Sequence, residues 1–295
     1  MAERLFGLIC AAVMTTLSLT SAPLAQTQEN EAAPTVLITG SNRGLGFHFS
    51  KQFAEAGWNV IATTRHPETA DALKELRAEH PNVAIEDLDI TDDSDIEALA
   101  EKYRDQPIDV LLNNAARLGE LSRQNFGSID YELFREIFEV NVIGTMKVTE
   151  AFIQHVAASD QKKIINMGTA AGSIERGHQS GNLYAYRSTK AALHFATRHV
   201  AFEHKDQGII VIIMEPGFAD SKGLMTMNLE DAPDQETREM AERLQSLMRL
   251  ARVENPDAAM LDPAVSVADM IQVIADITID NTGDFLLHDG THIPF

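Results

Sequence analysis

TVLITGSNRGLG, residues 35–46, runs from an apolar stretch into a glycine-rich turn, with glycines at 40, 44 and 46. A turn of this kind, set between a buried strand and the start of a helix, lets the backbone come close to a pyrophosphate. The helix end then offers unpaired N–H groups and the positive end of its dipole. The spacing is Gly-x-x-x-Gly-x-Gly rather than the Gly-x-Gly-x-x-Gly of the general dinucleotide fingerprint. Gly40, Ser41, Arg43, Gly44, Leu45 and Gly46 are therefore the candidate phosphate-side contacts of a dinucleotide.

The same rhythm continues along the chain. Short runs rich in Val, Ile and Leu occur at 35–40, 59–65, 82–89, 108–115, 162–168, 208–217 and 283–290. They show no clear alternation, as expected of strands buried on both faces of a parallel sheet. Helical stretches at 44–57, 68–80, 92–104, 130–158, 184–206 and 263–280 lie between them. The pattern predicts an α/β fold: a Rossmann-type doubly wound parallel sheet of about seven strands, helices on both faces, in one domain over 35–295. Residues 218–262 break the rhythm with one helix near 234–252 and Met225, Met227, Met240, Met248 and Met260. Long insertions and adaptable methionines suit a lid over a substrate pocket; ordinary packing of a helix onto the domain is the alternative.

Composition narrows the partners. With 44 Asp and Glu against 24 Lys and Arg, the net charge is −20. Such a surface repels nucleic-acid phosphates and anionic membranes. Cys10 is the single cysteine, which excludes a disulfide framework or a Cys-based metal site within one chain. His194, His199 and His204 follow i,i+5 steps that drift around a helix; they read as surface or boundary histidines, not metal ligands. Residues 5–14, LFGLICAAVM, followed by small and then polar residues, resemble a secretory signal peptide over 1–25 with a linker over 26–34. That predicts export, periplasmic or secreted; an unprocessed segment would leave the chain cytoplasmic, and a disordered or membrane-surface N-terminal tail is the other reading. No stable membrane span is expected after processing.

Two further features concern the cofactor and the chemistry. In an NAD site an Asp or Glu about 20 residues beyond the turn binds the ribose 2′-OH. Here the second strand ends Thr64-Arg65-His66, without an acid. Arg43 and Arg65 would attract a 2′-phosphate, so NADP(H) is preferred over NAD(H). In LYAYRSTK, 183–190, Tyr186 and Lys190 are four apart and share a helix face, whereas Tyr184 and Lys190 do not. A nearby ammonium would lower the phenol pKa from about 10 and ready Tyr186 for proton exchange with a carbonyl or alcohol oxygen. Tyr184 is left as a pocket-wall or packing residue.

Taken in order, Thr39-Gly40-x-x-x-Gly44-x-Gly46, Asn113-Asn114-Ala115-Ala116, Asn141 and Tyr186-x-x-x-Lys190 resemble the short-chain dehydrogenase/reductase family across residues 35–295. YAYRSTKAAL and the ending GDFLLHDGTHIPF are most similar to its C-factor-like and sniffer-like carbonyl reductases. The resemblance implies that Asn113, Asn114 and Ala115 line the adenosine side and that Asp89 and Ile90 contact the adenine. Asn114 tying strands together, or Asp89 capping a turn, is the alternative. It implies further that Pro216, Gly217 and Ser221 flank the nicotinamide, and that Tyr186 and Lys190 also touch the cofactor. Catalysis would use Asn141, Thr169, Tyr186 and Lys190. The family's usual Ser-Ser after the fifth strand is absent. Thr169 follows the strand end directly; Ser173 stands thirteen residues before Tyr186, the common family spacing. Thr169 is preferred as the catalytic hydroxyl, and Ser173, Tyr184 and Phe218 are candidate substrate contacts. The implied reaction is NADP(H)-dependent reduction of an aldehyde or ketone. A weakly catalytic dinucleotide-binding sensor and a dehydratase or epimerase are the rival readings. A homodimer or homotetramer built on helices 130–158 and 184–206 is implied as well.

Overall fold

The computed structural model describes residues 33–176, 182–220, 223–225, 227–232, 235–254 and 260–295. The predicted signal segment, most of its linker, Ser221, five residues of the loop before the Tyr-Lys helix and parts of 218–262 lie outside these residues, as do the side chains of Met240 and Met248. Seven parallel strands run β1 Thr35–Ile38, β2 Asn59–Thr64, β3 Val83–Asp87, β4 Val110–Asn113, β5 Lys163–Met167, β6 Ile210–Glu215 and β7 Phe285–Leu287. Their order in the sheet is β3-β2-β1-β4-β5-β6-β7. The order reverses between β1 and β4, and a ligand crevice opens beyond the strand ends at such a switch point.

The helices are α1 Gly44–Glu55, α2 Asp71–Glu79, α3 Asp93–Lys102, α4 Tyr131–Phe138, α5 Thr145–Ala157, α6 Tyr184–His204, α7 Gln235–Glu254 and α8 Pro263–Asp276. Successive strand residues point to opposite faces, so β1 serves two cores at once. Val36 and Ile38 join Phe49 and Phe53 of α1 and Val267, Met270 and Ile274 of α8. Leu37 joins Ile96 and Leu99 of α3 and Val148, Phe152 and Val156 of α5. Each fully buried side chain of this size contributes roughly 1.5–3 kcal/mol. Both strand faces are covered, which is why the runs did not alternate.

The predicted helix 130–158 is interrupted. Glu139–Gly144 forms a π-helical segment between α4 and α5. One extra residue per turn leaves the apolar periodicity nearly intact while turning Asn141 inward, where it is fully buried. The last predicted helix also ends earlier, at Asp276. There Lys163, at the start of β5, donates its ammonium to the carbonyls of Ile274 and Ala275 at 2.6 and 3.2 Å, satisfying the helix end. Among the described residues no helix is long and apolar enough to cross a membrane.

Candidate active site

The turn after β1 is held by the neighbouring strand. Thr39 Oγ1 accepts the backbone N–H groups of Asn114 and Ala115, both at 3.0 Å. Asn114 Nδ2 donates to the carbonyls of Thr39 and Gly40 at 2.9 and 3.0 Å. Gly40 has φ +69°, and a Cβ on Gly46 would lie 2.2 Å from the Gly40 oxygen; a side chain at either place would open the turn. Ser41 is buried, donating its hydroxyl to Ile38 O at 2.9 Å, so its side chain shapes the turn from within. Leu45 packs on the core. Arg43 begins α1 without a side-chain cap, and the first turn carries no acid. The N–H groups of that turn are thus left for an anion, which fits a dinucleotide pyrophosphate.

Arg43, in the turn, and Arg65, after β2, are exposed. Arg65 lies 3.8 Å from Asp89, a loose pair at the surface. Asp89 Oδ1 accepts from the Thr91 N–H and hydroxyl at 2.9 and 2.7 Å, so this carboxylate caps its own turn, as the alternative reading had it. Ile90 is buried and backs the Gly144 turn of the π segment. The Asn113 side chain also points inward, donating to Thr149 Oγ1 and Asn166 Oδ1 at 3.0 and 2.8 Å. Asn113 and Asn114 hold β4 to its surroundings through their side chains.

Tyr186 and Lys190 share one face of α6, with Lys190 Nζ 5.9 Å from the Tyr186 ring centroid. Lys190 is buried and donates to Met167 O, at the end of β5, at 2.8 Å. Burial pushes its ammonium down to about 8. Burial, and then the Glu215 carboxylate, push the Tyr186 phenol up to about 12. This corrects the sequence expectation of a lowered phenol pKa: the lysine is near, but loss of solvation outweighs it. Tyr186 is therefore a neutral acid at ordinary pH. Asn141 Oδ1 accepts the Arg117 N–H at 2.7 Å, and its Nδ2 donates to Arg117 O and Thr189 Oγ1 at 2.9 and 3.1 Å. It pins the segment after β4 to α6, one residue from Lys190.

Thr169 follows β5 with an extended backbone, and its Oγ1 accepts the Ala171 N–H at 3.2 Å. That leaves its hydroxyl proton to donate. Ser173 is engaged elsewhere: its buried hydroxyl donates to Pro294 O at 2.7 Å and accepts the Arg176 N–H at 3.1 Å. Tyr184 opens α6, partly exposed, with its ring 5.9 Å from that of the exposed Phe126. Phe218 is exposed just beyond Pro216 and Gly217. Pro216 O accepts the Ser266 hydroxyl of α8 at 2.6 Å, which fixes the turn after β6. Within the excursion, Leu224, Met227, Leu229, Ala241 and Leu244 cluster with Leu118 and Leu121 of the loop after β4. These residues of the excursion thus pack on the loop after β4.

Three residues were not anticipated. Gln124 is fully buried; its Oε1 accepts the Tyr186 N–H at 3.0 Å and its Nε2 donates to Leu118 O at 2.8 Å. Glu215 Oε2 accepts the Ala170 N–H at 2.6 Å. His194 is buried, not a surface or boundary residue; its Nε2 accepts the Thr169 N–H at 3.4 Å. Burial, then the Lys190 charge, push its imidazole down to about 3. None of the three carries a local sequence signal, since each is fixed by partners from other elements.

Residues 34–232 match the family model described as short chain dehydrogenase. The chain is 30% identical over 267 residues to an uncharacterized oxidoreductase of Schizosaccharomyces pombe, covering 88% of this chain and 96% of that one. The fold is similar to that of the carbonyl reductase Sniffer of D. melanogaster, with a TM-score of 0.71, 24% identity, and 90% of this chain and 100% of that one covered. It is also similar to the NADPH-bound carbonyl reductase from chicken fatty liver, with a TM-score of 0.72, 25% identity, and 89% and 99% covered.

Proposed function

The chain belongs to the short chain dehydrogenase family and is an oxidoreductase, and from that premise we propose that it reduces an aldehyde or ketone to an alcohol with NADP(H). The observation that carries this reading is the Tyr186–Lys190 pair, with Nζ 5.9 Å over the ring and anchored on the last carbonyl of β5. When bound, the nicotinamide supplies the hydride to the substrate carbon. Tyr186 gives its phenol proton to the carbonyl oxygen, and the Thr169 hydroxyl donates a hydrogen bond to the same oxygen and polarises it. Lys190 steadies the phenolate that remains. Asn141 keeps α6 in register with the segment after β4. The glycine turn holds the pyrophosphate, Arg43 and Arg65 face the 2′-phosphate, and Pro216 and Gly217 flank the nicotinamide. Ser221 stays in that role as an expectation, outside the described residues.

The preference for NADP(H) rests on two exposed arginines and no acid at the end of β2. The chicken relative of similar fold is NADPH-bound, in keeping with it. Purified protein assayed with NADPH and with NADH against a panel of aldehydes and ketones tests both parts. Arg43→Ala and Arg65→Ala are each expected to raise the KM for NADPH about 10-fold, the loss of one charge-assisted contact, and to leave NADH kinetics nearly unchanged. Equal use of both cofactors by all three proteins would overturn the preference. The reading extends to a homo-oligomer: Phe195 and Phe202, 68% and 60% exposed, stand two turns apart on α6. Sedimentation of the wild type and of Phe195→Asp checks it; a wild-type monomer would refute it.

A further inference from the structure

We propose that Phe295 and Ser173 are positioning residues, through which the segment after β7 sets the loop that carries Thr169. The kinetic half of this inference rests on the reduction proposed above; the structural half does not.

The loop leaves β5 at Gly168 and is described to Arg176. Its near end is fixed by the sheet: Gly168 N–H donates to Met214 O at 2.8 Å, and Ala170 N–H to Glu215 Oε2 at 2.6 Å. Its far end is fixed by residues more than a hundred positions away. Ser173 Oγ donates to Pro294 O at 2.7 Å, and Glu175 N–H donates to the main-chain oxygen of Phe295 at 2.6 Å. The segment giving those acceptors is itself firmly placed. Ile293 is buried and its N–H donates to Phe285 O in β7 at 2.8 Å; Leu287 N–H donates to Thr291 O at 2.8 Å.

The Phe295 ring reaches toward the near end as well. It lies edge-on to His194, with centroids 6.5 Å apart, and 5.8 Å from Phe285, which is itself 4.5 Å from His194. The Arg198 guanidinium caps its other contacts, 4.3 Å from the ring centroid. His194 accepts the Thr169 N–H. Phe295 therefore meets the loop directly at Glu175, by its main-chain oxygen, and indirectly at Thr169, by way of His194. Between the two, Gly172 is pressed on α6 so closely that a Cβ would lie 2.8 Å from Lys190. Gly172 therefore cannot move toward α6. A misplacement of about 1 Å costs an enzyme on the order of 100-fold.

The test uses the full chain as wild type, Phe295→Ala, Ser173→Ala and Phe295→Tyr, with the carbonyl of the panel that is turned over fastest. Both alanine variants should lose on the order of 10- to 100-fold in kcat, with the Kd for NADPH unchanged. Amide exchange should quicken from Thr169 to Arg176 but not at the Gly40–Gly46 turn. Phe295→Tyr, which keeps the ring, should restore both readouts. Unchanged kcat with unchanged loop exchange overturns the inference, and so does protection lost evenly across the sheet. If the wild type reduces no carbonyl, that failure belongs to the proposed reaction. Exchange from Thr169 to Arg176 in the two alanine variants then decides the positioning on its own.

Discussion

Burial acts on Tyr186 and Lys190 in opposite senses, holding the phenol neutral up to about 12 and bringing the ammonium down to about 8. The acid that the proposed reduction calls for is therefore present at every working pH, and the lysine is the group that titrates. The reduction rate should be level up to about pH 8 and fall above it as Lys190 loses its proton, by up to about 10-fold per unit. Stability moves the other way. The unfolded lysine binds its proton up to its ordinary value near 10.5, so between about pH 8 and that value the unfolded state holds more protons and stability rises. A pH–rate profile beside a pH–melting profile checks both signs. A rate that rises through pH 8 would contradict the assignment of Lys190.

At the scale of elements, the π-helical segment Glu139–Gly144 is the feature that joins fold to site. Such bulges are frequent at functional sites, and here the extra residue turns Asn141 onto both backbone groups of Arg117 and onto Thr189. Asn141→Ala would strand the Arg117 N–H and carbonyl. The expected cost is about 1–3 kcal/mol, measurable by urea unfolding, together with reduced turnover. Asn141→Ala with wild-type stability and rate would show that the segment is incidental. The bulge was not legible in the sequence, because one added residue hardly disturbs an apolar repeat. The strands were legible, because uninterrupted Val, Ile and Leu runs bounded by glycine and proline leave few other choices.

At the scale of the whole molecule, the strand ends, α6 and the segment after β7 meet at His194. Its folded pKa of about 3 lies well below the ordinary 6.5. Between these values the unfolded state takes up a proton that the folded state refuses, so this residue's share of stability is intact above 6.5 and is lost as pH falls. The slope is up to about 1.4 kcal/mol per pH unit. His194→Gln should therefore melt with a shallower pH dependence between about pH 6.5 and 4 than the wild type; an identical slope would refute the linkage. This junction shows why the candidate site was only partly readable. Tyr186, Lys190 and the glycine turn are set by spacings within one element, which a sequence displays. His194, Gln124 and the bond from Ser173 to Pro294 depend on partners brought from other elements, which it does not. The spacing argument that offered Ser173 as the catalytic hydroxyl counted residues along the chain, whereas a segment 121 residues away holds that hydroxyl.

The central claim is that Tyr186 delivers the proton in an NADPH-dependent reduction. The direct measurement is single-turnover NADPH oxidation by Tyr186→Phe beside the wild type, with the same carbonyl substrate and with NADPH binding measured on both. The account predicts unchanged NADPH affinity and a rate lower by roughly 100- to 10,000-fold. A Tyr186→Phe protein that binds NADPH and reduces the carbonyl at the wild-type rate would contradict it.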